Sequence, residues 1–430
     1  MYRELRDGKW SPVNDVVAAG TGGYTVRNSM VLGRDGRLHV LMRNHTRIEH
    51  VSAPWEKAWT AASWGEARGI TADGAYYVAL GVDSNNTLHA FWSQALVDDP
   101  QHPRPECPNC ANLFYRRSSD GGLTWSAIVN LSHSSDGDNR PQVKVDRQDR
   151  IHVVWDQGED WYAGAGTPKR GIYRRSDDGG KSWRPPVEFV VPDDAVQQTT
   201  LAVTPEGNPM VVYRTVTGKI YYQTSLDGGD TWAPPARLPG VVARDTIGNS
   251  LDQYSMESDS AGNVHLLMVG YLDTVVNPEL RPPSLFHLTW NGTLWSAPET
   301  VMSNELYPEW PVLVVGGGNQ LHAVWYTRNA DDRLNSERAR YRIWYSGRRV
   351  GAPATTPLPL FTPQPTAEPT VEATTVPTPT RTAVPASFAE IPPPDGPPRW
   401  ETRSLSTIAL ALLPIGLMVA GLFLVRRLRQ

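Results

Sequence analysis

Six times between residues 36 and 327, a nearly unbroken apolar run follows a turn rich in Gly, Asn or Asp. The runs read GRLHVLMRN (36–44), NTLHAFWSQ (86–94), DRIHVVWDQ (149–157), GNPMVVYRT (207–215), GNVHLLMVG (262–270) and NQLHAVWYT (319–327). Their length and their β-branched and aromatic content suit strands. Each follows an alternating apolar strand, and third strands come next as NLFYRRSSD, GIYRRSDDG, KIYYQTSLD, SLFHLTW and RYRIWYSG. Counted from Leu38, Leu88, Ile151, Pro209, Val264 and Leu321, the unit recurs at intervals of 50, 63, 58, 55 and 57 residues. A unit of that length builds one four-stranded antiparallel sheet, and such sheets repeated around an axis build a β-propeller. The pattern predicts an all-β, six-bladed propeller over residues 1–350. The sixth unit shows no fourth strand. The opening YRELRDGKWSPVNDVVA either pairs into that last blade and closes the ring, or belongs to an extra blade.

The turns after the third strands carry a sharper motif, S-x-D-x-G-x-S/T-W. It occurs as Ser118, Asp120, Gly122, Thr124, Trp125, as Ser176, Asp178, Gly180, Ser182, Trp183, and as Ser225, Asp227, Gly229, Thr231, Trp232; a weaker form ends at Trp295. Its chemistry is structural: Asp and Ser bond turn amides, Gly takes the unusual backbone angles, and Trp packs back into the blade. This is the Asp-box, and the body resembles the sialidase superfamily with its bacterial neuraminidase repeats. His39, His89, His152, His265 and His322 share one repeat position. A general base or metal ligand does not recur once per blade, so these are framework residues.

In a propeller the inner strands begin at one end of the central channel, and the Asp-boxes lie at the other. The residues at those beginnings are Arg27, Tyr76, Asp138, Arg140, Gln197-Gln198, Tyr254, Glu309 and Trp310, with Trp161 on a long loop over the same face. Aromatic rings beside carboxylates and arginines suit a sugar: rings stack on its apolar faces and charges read its hydroxyls and carboxylate. The resemblance implies three arginines around a substrate carboxylate, a tyrosine nucleophile paired with a glutamate, and an aspartate acid/base. Arg27 lies where the first arginine motif falls, Arg140 is placed as a second, and Tyr254-Ser255 resembles the nucleophile segment, with Glu309 beside it in the pocket. The fourth repeat opens with Gln197-Gln198 where an arginine is expected, and no acid/base aspartate stands out. Two readings follow: a sialidase-type exo-glycosidase, and a non-catalytic surface module that binds glycan or protein. Neither calls for a cofactor or a metal, and a monomeric propeller is expected.

Composition adds the chain's setting. Residues 352–398 hold 14 of the 37 prolines and 10 threonines, a composition that stays extended and disordered. Residues 351–403 are expected to form a stalk, the Pro/Thr-rich part reaching on the order of 140 Å at full extension. Residues 404–425 contain the uncharged run IALALLPIGLMVAGLFLV, long enough for one transmembrane helix, and 426–430 bring Arg426, Arg427 and Arg429 to the cytoplasmic side. That topology needs an exported body, yet the first residues show no signal peptide, so a start upstream of Met1 is expected. The two cysteines, Cys107 and Cys110, are too few for a disulfide scaffold. They read as a local disulfide in an exported domain, or as half of a zinc site with His102. A net charge of -4 without a basic patch excludes a nucleic-acid binder.

Overall fold

Every apolar run of the repeat becomes the second strand of a sheet, and in blades 2 to 5 it is pressed between neighbouring sheets on both faces. That double burial is why the runs are continuous where a half-exposed strand would alternate. Pro209–Thr215, for example, is buried at all seven positions, with Pro209 at the strand start, where a missing N–H is tolerated. The computed structural model describes residues 2–6, 8–17, 28–71, 74–95, 110–162, 165–244, 254–276, 282–303, 306–328, 341–357 and 359–361. The expected transmembrane helix, the basic tail and most of the stalk lie outside them. Among the described residues there is no α-helix, only the 3₁₀ turns Trp55–Lys57 and Ala61–Ser63, and no helix long and apolar enough to cross a membrane.

The strands form a six-bladed antiparallel propeller. Blade 1 orders Asn28–Leu32, Arg37–Asn44, Arg47–Pro54 and Arg68–Gly69 from the inside outward. Blades 2, 3 and 4 repeat this from the inner strands Ala75–Val82, Gly137–Val145 and Val196–Val203. In blade 5 two short pieces share the inner place: Ser255–Ser258 pairs the first half of Val264–Leu272, and Val241–Ala243 pairs its end. Among the described residues blade 6 holds three strands, Tyr307–Gly316, Gln320–Arg328 and Arg342–Arg349, and the other five blades meet the four-strand expectation. The opening residues do not supply the missing strand. Leu5–Arg6 and Lys9–Trp10 pair with each other, while Tyr2 meets Trp64 of blade 1 and Trp10 meets Tyr345 of blade 6.

The repeated histidines tie each blade together. Their Nε2 atoms face the carboxylates of Asp35, Asp83, Asp146 and Asp259 in the turn before. Their Nδ1 atoms face the third strand, at His50, Tyr115, Tyr173, His287 and Tyr345. The S-x-D-x-G turns lock themselves and grip the preceding blade. Asp178 accepts from the Ser182 amide at 2.9 Å and its hydroxyl at 2.6 Å, and Ser176 Oγ accepts from the Gly180 amide at 2.8 Å. The tryptophans do not turn back into their own blades. Trp125, Trp183, Trp232 and Trp295 stand edge-on to His50, Tyr115, Tyr173 and Tyr222 of the blade before. Each of blades 1 to 4 thereby becomes the platform for the next.

Apolar clusters weld blade 1 to 2, 2 to 3, 3 to 4, 4 to 5 and 5 to 6. Among the described residues no such cluster joins blade 6 to blade 1. The free face of blade 1 packs instead on Ala58, Trp64, Tyr2, Val16 and Val17.

Candidate functional site

Four inner strands slip register at the same place near their beginnings: between Ala75 and Val78, Asn139 and Gln142, Gln197 and Thr200, and Glu309 and Val312. A bulge of this kind re-aims side chains at the end of a strand, here around the channel mouth. Within three of the bulges Arg140, Gln198 and Trp310 adopt φ of 58°, 55° and 50°, left-handed values that large residues keep only where their surroundings enforce them.

Asp156 supplies one such enforcement. It is fully buried, and its oxygens accept the backbone amides of Gln198 at 2.8 Å and Thr199 at 2.9 Å in the next blade. Arg140 Nη1 lies 3.8 Å from the same carboxylate, and its Nε donates to the Tyr77 hydroxyl at 3.5 Å. Burial pushes the Asp156 pKa up, against the opposing pull of Arg140 and the two amides. On the other side of the mouth Glu309, also fully buried, is gripped by Arg328 (2.5 and 2.6 Å) and by Arg244 Nη2 (3.1 Å). Arg214 adjoins them, its Nη1 donating to the Arg244 carbonyl at 2.6 Å. Blades 5 and 6 thereby place two guanidiniums on one carboxylate, and Arg214 of blade 4 props the backbone of one of them.

The residues singled out by sequence are distributed unequally. Arg140 and Glu309 head these two charged groups. Tyr76 lies under the guanidinium of Arg43 at 4.2 Å and edge-on to Tyr77, and Trp310 is half-buried. Asp138 accepts from Trp155 Nε1 at 2.7 Å and Gln157 Nε2 at 2.9 Å. Tyr254 is 1% exposed in the cluster between blades 4 and 5, where Gln142 donates to its carbonyl. Arg27, Cys107, His102 and the side chain of Trp161 lie outside the described residues; Cys110 is disulfide-bonded. Asp120, Asp178 and Asp227, with Trp125, Trp183 and Trp232, sit in turns at the opposite ends of the blades.

Sequence reasoning passed over Arg43, Asp156, Arg214, Arg244 and Arg328. Three had a signal. Arg43, Asp156 and Arg214 occupy the eighth place of their apolar runs, where a charge has no place in a core unless it is paired. Arg328 stands just past the end of its run, and Arg244 has no pattern around it.

The fold is a six-bladed β-propeller. No protein-family model matches the chain, and no curated protein matches it in sequence. Among solved structures it is similar to NanB sialidase from Streptococcus pneumoniae at 10% identity and a TM-score of 0.53, covering 75% of this chain and 68% of that one. It is also similar to the intramolecular trans-sialidase from Ruminococcus gnavus (11%, TM-score 0.51, 78% and 96%). An ulvan lyase of a polysaccharide lyase family shares the fold as well (12%, TM-score 0.50, 74% and 78%). At these identities the likeness is one of fold.

Proposed function

We propose that the protein is a surface-displayed propeller that binds an acidic saccharide at its mouth. The observation that carries this reading is the gathering of Arg214, Arg244 and Arg328 beside Glu309, with Arg244 and Arg328 paired to its carboxylate and Arg214 bonded to the Arg244 backbone. A ligand carboxylate is the species that arginines at such a mouth favour, because guanidiniums hold carboxylates by charge-assisted, often bidentate pairs. Tyr76 and Trp310, both half-buried, lie at the same mouth. That sialidases and a polysaccharide lyase are built on this fold supports a glycan ligand. Display on the outside of the membrane rests on the Pro/Thr-rich stretch and the apolar run that end the chain.

Isothermal titration with sialyllactose, an oligoglucuronate and neutral lactose tests the reading. Acidic sugars should bind and lactose should not, and Arg328→Lys should weaken the acidic ligands about 10- to 100-fold. Equal behaviour of acidic and neutral sugars would remove the proposal. Turnover is read in parallel with a fluorogenic sialoside. Cleavage that disappears in Tyr254→Phe establishes a sialidase, since that change removes only the nucleophilic hydroxyl. Binding without turnover leaves a binding module.

A further inference from the structure

We infer that residues 350–357 and 359–361 form a clasp that closes the propeller ring across the joint between blades 6 and 1. This joint differs from the other five. Met30 and Leu32 of blade 1 are 51% and 50% exposed, and Val312 and Val314 of blade 6 are 45% and 52% exposed. The register matches Val312 and Val314 to Thr200 and Ala202 of blade 4, both of which are fully buried, Ala202 in the cluster with blade 5. Here the usual apolar weld between blades is lacking among the described residues.

The chain leaving the last strand crosses this joint at the Asp-box end. Val350 donates to the Asn319 carbonyl at 2.9 Å, and Asn319 Nδ2 donates to Ala352 at 3.0 Å. Ser260 of blade 5 donates to the Pro353 carbonyl, and the Thr355 amide donates to Gly317 at 2.8 Å. The strap then reaches blade 1. Arg34 Nε donates to the Pro359 carbonyl at 3.2 Å, the Phe361 amide donates to the Arg34 carbonyl at 2.5 Å, and the Arg34 guanidinium lies 4.3 Å from the Phe361 ring centre. Arg34 is itself fastened to blade 2, donating from Nη1 to the Ser84 carbonyl at 2.6 Å and from its amide to Asn86. A continuous covalent and hydrogen-bonded path thus runs from blade 5 through blade 6 to blades 1 and 2. A ring short of one apolar weld has a joint that opens first, and a strap across it raises the free energy of that opening.

Native-state hydrogen exchange on the full chain tests this, with residues 352–361 replaced by a Gly/Ser segment of equal length, and separately with Phe361→Ala. Protection of Asn28–Leu32 and Tyr307–Gly316 should fall at least about tenfold in the replacement and less in Phe361→Ala, while Val196–Val203 keeps its protection. Unchanged exchange at the joint, or a loss spread evenly over all blades, would overturn the clasp. If the replacement does not fold, Phe361→Ala decides by the same comparison. The outcome is independent of any ligand and so leaves the proposed function to its own test.

Discussion

Arg140 and Asp156 show what a single buried charge demands. The carboxylate is fully buried, and it is held by one guanidinium and two amides. Removing the cation strands the anion, which typically costs about 3–5 kcal/mol. Arg140→Ala should therefore unfold in urea with a stability loss of that size, and not merely lose ligand. Arg140→Met with Asp156→Asn should recover most of it, because a paired deletion leaves no buried ion. A loss confined to ligand affinity would show that the pair does not support the mouth. Titration gives a second residue-level test. Burial, then the neighbouring His39 and His265 respectively, lowers the pKa of His50 and His287 to about 4. Both stay neutral in the fold above that value while their unfolded counterparts protonate near pH 6.5. Their contribution is whole above pH 6.5 and is lost as pH falls toward 4. Burial opposes ionisation of Asp120 and Asp178, but turn hydroxyls and amides donating to their carboxylates outweigh it together and hold both at about 2. Their share is whole above about pH 4 and is lost toward pH 2. Thermal melts across this range should fall in two stages, and Asp178→Asn should flatten only the lower one.

At the scale of the element, the S-x-D-x-G turn is a joint between blades as well as a turn. Gly180 has φ 78°, and a Cβ there would stand 1.8 Å from the Tyr115 hydroxyl oxygen of the preceding blade. Backbone strain and overlap act together. Gly180→Ala should cost about 2–4 kcal/mol in chemical denaturation. A near-neutral result would mean that the blades can separate at this point without cost. The turn's identity was legible from Ser, Asp, Gly and Trp at fixed offsets, because its hydrogen bonds are local. Its grip on the neighbour was not: which ring meets Trp183 depends on the stacking of whole sheets. The bulges beside Arg140, Gln198 and Trp310 were likewise hidden. A register slip is a property of two paired strands, and neither strand alone announces it.

Across the whole molecule the charges matter by position. The chain carries a net charge of -4, yet arginines from blades 1, 3, 4, 5 and 6 gather at one end. Binding of an acidic oligosaccharide should weaken several-fold as salt shortens the Debye length to about 3 Å, the remainder coming from contacts that water does not reach. Affinity that ignores salt would argue against a charged mouth. The amino-acid pattern determined the all-β architecture, the number of blades, the second strands and the framework role of the repeated histidines. Each of these follows from spacing, which a chain carries with it. The three-strand sixth blade was legible too, as a repeat that runs out. Only the tertiary structure decided which charges meet. Arg244 and Glu309 are 65 residues apart, and Arg34 and Pro359 are 325 apart. Partners so distant in sequence are brought together by the closing of the ring, whose geometry no local pattern records.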